Sequence, residues 1–115
     1  MKSSKIAIVQ ESTVFLNLKA SVTKALKIIK EAAEKKADMI VFGETWFGGY
    51  PAWLDHIPTT TKWNYPPIKE VWADTFENAM EVDGEEVQKL AASAKKHGIS
   101  RFCFKLPFDS RAFRY

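Results

Sequence analysis

The stretch Met39-Ile40-Val41-Phe42-Gly43-Glu44-Thr45-Trp46 decides the fold class: an apolar, partly β-branched run reads as a strand covered on both faces, and a polar edge follows it. Lys5-Ile6-Ala7-Ile8-Val9 is a second run of the same kind. Between the two, Asn17 stands as an N-cap candidate. Leu18, Val22, Ala25, Leu26, Ile29, Ala32 and Ala33 then recur at spacings of three and four, with lysines on the other side. The charged run Glu31 to Lys36 falls on the solvated face of that helix, where Glu31 and Lys35 have the favourable i,i+4 spacing. A strand, a helix and a strand in immediate succession form a βαβ unit, whose strands run parallel. The expected class is α/β.

Downstream, Gly43 to Pro67 holds three glycines and four prolines, too irregular and too long to serve as mere connection. It is the first place to look for chemistry. Pro66 and Pro67 suit the first turn of a helix, which Ile68, Val71, Trp72, Thr75, Phe76 and Ala79 continue at helical spacing. Asp83 with Glu86 forms a capping-box pattern before Val87, Leu90, Ala91 and Ala94, and Gly98 supplies a left-handed stop. Ile99 is expected to open a third strand.

Composition bounds the function. With 115 residues, 46% of them hydrophobic and 27% charged, the chain is one soluble globular unit or part of one. Its longest apolar runs are far short of the ~18 residues a membrane helix needs. The basic start at Met1 to Lys5 is followed by an apolar stretch that ends at Gln10, below the ~7 to 15 residues of a secretory core, so the expected location is the cytoplasm. The single cysteine, Cys103, suits a reducing compartment and cannot build a disulfide or a zinc site alone. Through Ile99 the chain carries 13 Lys, no Arg and 13 Asp or Glu, whereas all three Arg lie in the last 16 residues. Those residues also hold Phe102, Phe104, Phe108, Phe113 and Tyr115, so two compositions meet near Gly98. Arg101-Phe-Cys-Phe-Lys105 lacks the glycine and the second aromatic strand of an RNA-binding sheet, and nucleic-acid binding is not expected.

Glu44 is the sharpest chemical feature. Ligands of open parallel sheets bind beyond the carboxyl ends of the strands, and Glu44 stands at that edge. Shielded by Trp46, Tyr50 and Trp53, its carboxylate would tend toward a raised pKa and could act as a general base; on spacing alone the alternative is an ordinary loop or capping glutamate. His97 precedes Gly98 at a helix end, where a basic side chain answers the dipole, and His56 has no identifiable partner. Cys103, flanked by Phe102 and Phe104, reads as a buried structural cysteine.

The blocks Lys5-Ile-Ala-Ile-Val-Gln10, Phe15-Leu-Asn-Leu-Lys-Ala20, Ile40-Val-Phe-Gly-Glu-Thr-Trp46 and Gly49-Tyr-Pro-Ala-Trp-Leu-Asp55 resemble the start of the nitrilase branch of the carbon-nitrogen hydrolases, in order, over residues 5 to 99. The resemblance implies an α-β-β-α sandwich, of which this chain holds part, and a Glu, Lys and Cys triad at the sheet edge. It carries Glu44 over as the general base. Tyr50 matches a pocket-lining tyrosine, and Trp46 is placed with it as a substrate-binding residue, packing being the alternative for Trp46 and Trp53. The implied substrate is an organic nitrile, with no cofactor and no metal. In that chemistry a thiolate attacks the nitrile carbon, the lysine stabilises the developing anionic nitrogen, and water releases acid and ammonia from the thioimidate.

The sequence departs from the family pattern at Gly43, where proline is usual, and after Ile99, where the lysine motif and the Cys-Trp-Glu segment do not appear. Lys105-Leu-Pro107 echoes the lysine motif without the hairpin that precedes it. The expected organisation is therefore 1–99 as the N-terminal part of a carbon-nitrogen hydrolase domain and 100–115 as a divergent tail, either altered or out of frame. Such a chain has a base without a nucleophile and is expected to be inactive alone. Two further readings are a non-catalytic assembly module that pairs with a full-length relative, as a homo-oligomer or aggregation-prone species, and a small hydrolase using Cys103 with Glu44.

Overall fold

The computed structural model describes residues 3–59, 62 and 64–103, the last three by their backbone alone. Readings made for the side chain of Cys103, for Lys105 to Pro107 and for the rest of the tail lie outside the described residues. The elements in chain order are β1 (Ile6–Ile8), α1 (Leu18–Glu34), β2 (Met39–Val41), a short 3₁₀ helix (Ala52–His56), α2 (Pro66–Glu77), α3 (Glu85–Lys96) and β3 (Arg101–Cys103). The strands form one parallel sheet in the order β1-β2-β3, with Ala7, Ile40 and Phe102 in register across it. The α/β class is confirmed.

Helix α1 follows its sequence signals closely. Asn17 is the N-cap, its side chain accepting from the Ala20 N–H at 3.0 Å. Val22, Ala25, Ile29 and Ala32 are buried, with Leu18, Leu26 and Ala33 packed beside them. They meet Leu90 and Ala94 of α3 and Ile40 of β2 in one core, so both helices cover the same face of the sheet.

Both helices end alike. In α1, Ala37 N–H bonds back to Ala32 C=O and Lys36 N–H to Ala33 C=O, around Lys36 at φ 59°. In α3, Ile99 N–H bonds to Ala94 C=O and Gly98 N–H to Lys95 C=O, around Gly98 at φ 73°. These are paired Schellman motifs, and each delivers a buried residue, Ala37 or Ile99, toward the next strand. Asp38 then gathers the strand starts. Its carboxylate accepts the Lys5 N–H at 2.8 Å, and its carbonyl accepts both the N–H and the hydroxyl of Ser100. That clamp was not legible as a motif, because its members lie 33 and 62 residues apart.

Some expectations are corrected. β1 is not buried on both faces: it is an edge strand, and Ile6 and Ile8 are 53% and 71% exposed. The N-cap of α3 is Gly84, one residue later than the Asp83–Glu86 pattern places it, and it makes no side-chain cap bond. Strand β3 begins at Arg101, two residues beyond Ile99, which is buried in the core. Helix α2 runs from Pro66 as expected and buries Ile68 and Thr75, leaving Phe76 partly exposed.

Candidate active site

Phe42 leaves β2 into the core, and the chain then folds into a tight turn at 43–49. Trp46 N–H bonds to Gly43 C=O at 3.2 Å, and Gly49 N–H bonds to Thr45 C=O at 2.7 Å. Trp46 and Phe47 are both buried and stack edge-on at 5.0 Å, with Phe42 close to each ring. The Trp46 indole N–H reaches out of this cluster to donate to Glu11 C=O at 2.7 Å. Gly49, at φ 79°, lies so near Phe15 that a Cβ there would come within 2.9 Å of its ring. The turn after β2 and the β1–α1 connection are thereby locked together at two points.

The lock is reinforced on the β1–α1 side. Lys24 of α1 pairs with Glu11 at 3.0 Å and donates to Ser12 C=O, while the Ser21 hydroxyl, fully buried, exchanges hydrogen bonds with Val14 and Thr13. The groups that anchor the turn itself are apolar or uncharged. Glu44, in the midst of it, is exposed.

The predicted site residues are therefore placed unequally. Glu44 emerges beyond the carboxyl end of β2, the central strand, where an edge carboxylate can meet a ligand. The shield expected over it is not built among the described residues: Tyr50 is 68% exposed, and Trp46 is turned into the core. Trp53 lies on the 3₁₀ helix, edge-on to Trp72 of α2 at 5.6 Å, with its buried indole N–H unpartnered. His97 is the C-cap of α3, beside Lys95 and Lys96 in its last turn. Gly43 is exposed, and a Cβ added there would meet no atom within 4 Å, so a side chain has room at that position.

Sequence reasoning missed Thr45, which is buried and holds φ 62°, a left-handed conformation that β-branched residues rarely adopt. No composition signal marks it. The Gly48-Gly49 pair just downstream does announce a tight turn, without saying where its strain falls.

Residues 5–103 match the carbon-nitrogen hydrolase family, to which the chain belongs. Within that family it falls in the nitrilase branch. It is 34% identical to an arylacetonitrilase of Fusarium vanettenii over 84% of this chain, and 33% identical to one of Aspergillus oryzae over 83%. A nitrilase of Pseudomonas syringae pv. syringae is 32% identical over 83% of this chain. The chain spans 26% of the length of each of these three relatives. No helix among the described residues is long and apolar enough to cross a membrane.

Proposed function

We propose that this chain supplies the glutamate of a nitrilase-type active site, with Glu44 as general base in the hydrolysis of an organic nitrile to acid and ammonia. The observation that carries this is the exposed Glu44 on a turn fixed at both ends, just past the central strand, within a segment that belongs to the family. In the nitrilase reaction the base takes the thiol proton so that the thiolate can attack the nitrile carbon, and a lysine steadies the nitrogen on which charge develops. Tyr50 would stand on the solvent side of that substrate. Trp46 would shape the pocket from behind, through the turn it anchors. The names of the relatives suggest an arylacetonitrile as substrate class. On this reading the three-stranded sheet with helices on one face is one layer pair of an α-β-β-α sandwich, and the single cysteine fits a cytoplasmic setting.

The 115 residues contain no Cys-Trp-Glu segment, so the chain alone has a base and no matching nucleophile. It is expected to release no ammonia from phenylacetonitrile. Replacing the matching segment of an arylacetonitrilase with residues 5–99 of this chain should preserve turnover by the resulting graft. Turnover by the isolated chain that disappears in Cys103→Ala would instead establish a small hydrolase that pairs Cys103 with Glu44.

A second reading, an assembly module that pairs with a relative or with itself, is favoured by one observation: Ile6 and Ile8 stand exposed on an edge strand. Size-exclusion chromatography that shows a dispersed monomer would count against it.

A further inference from the structure

We propose that Thr45 is a positioning residue for Glu44, acting through its left-handed backbone rather than through its side chain. The inference rests on the reading of Glu44 as the base. Three observations converge on it. Thr45 holds φ 62° although β-branched side chains disfavour that region, so the surrounding structure must impose it. The imposing contacts are present: the Thr45 carbonyl accepts the Gly49 N–H at 2.7 Å, and Trp46, the next residue, is fixed by its ring neighbours and by its bond to Glu11. The consequence is a reversal of the chain between neighbours, with Glu44 exposed and Trp46 only 7% exposed.

An ordinary φ near −65° at residue 45 would break the bond to Gly49 or withdraw Trp46 from the core, and either change would re-aim the carboxylate. Active sites tolerate such strain when a reacting group must be held at one angle, because small misplacements of a base cost rate steeply. Glu11 and Phe15 belong to the same device, since they hold the far ends of Trp46 and Gly49.

The test compares substitutions by the backbone they allow. In the 115-residue chain, amide exchange of Gly49 reports its bond to Thr45. Thr45→Gly and Thr45→Asn, which accept the left-handed region, should leave that protection equal to the parent or up to about fivefold higher, whereas Thr45→Pro should abolish it. In the arylacetonitrilase graft the same Gly and Asn variants should keep kcat within about threefold, and Thr45→Pro should lower it at least about thirtyfold with KM nearly unchanged.

A packing role for the Thr45 side chain predicts the opposite order, with the isosteric Thr45→Val matching the parent and Gly and Asn impaired. That order would overturn the proposal, and so would an unimpaired Thr45→Pro graft. Glu44→Gln in the same graft decides the underlying reading separately. If it destroys turnover while the Thr45 series is flat, only the positioning role falls; if it leaves turnover intact, the reading of Glu44 falls first.

Discussion

The two faces of the sheet are made by the same three strands and have opposite fates. On one, Ile40 is fully buried against Ile29 of α1 and Leu90 of α3, in a core that closes within this chain. On the other, Ile6 and Ile8 stand open, and their register partners Met39 and Val41 are only partly covered. Residues one position apart on a strand point to opposite faces, so this difference between neighbours such as Ala7 and Ile8 follows from the pleat. It teaches that what stabilises the chain and what holds Glu44 lie in different places. The closed face folds the unit, and the strand ends and the turn beyond them carry Glu44.

The largest expected effect separates the faces directly. Leu90→Ala, which removes a fully buried side chain, should cost about 2 to 5 kcal/mol in chemical denaturation, whereas Ile8→Ala should cost well under about 1 kcal/mol. Equal losses would mean that the open face is closed in solution. Next, Asn17→Ala removes the cap of α1 and should cost about 1 kcal/mol, with the loss appearing in the first turn by amide exchange. Gly43→Ala works in the other direction. With room for a Cβ and no left-handed backbone at that position, it should raise stability by about 0.4 to 1 kcal/mol, read from the denaturation midpoint.

The smallest effect is electrostatic and lies on the helical layer. Lys89, 2.7 Å from Glu85 across one helical turn, holds the Glu85 carboxyl below the ordinary value of 4.5 through its hydrogen bond and its charge. A lowered carboxyl pKa stabilises the fold above the unfolded value and loses that contribution as pH falls through the folded one. The first turn of α3 should therefore loosen only below pH about 4.5, and Lys89→Met should move the Glu85 titration upward in a carboxyl-detected NMR series.

Much of the frame was legible because it is local. Asn17, the period of α1, the proline start of α2 and Gly98 each act within a few residues, and the family blocks around Glu44 lie in one continuous stretch. What escaped was non-local or hidden in backbone geometry. Lys36 ends α1 in the left-handed region that a glycine would have advertised, and the Asp38 clamp joins three distant segments. The open face of β1 escaped because an apolar run cannot tell a covered face from an uncovered one. Trp46 as a core anchor and Thr45 as the strained residue beside Glu44 also depend on the fold rather than on spacing.

The most direct measurement is ammonia release from phenylacetonitrile by the arylacetonitrilase graft that carries residues 5–99 of this chain, beside its Glu44→Gln variant. If Glu44 is the base, the graft turns over and Glu44→Gln lowers kcat by about 10² to 10⁴ without loss of folded protein. An equally active Glu44→Gln graft would contradict the assignment.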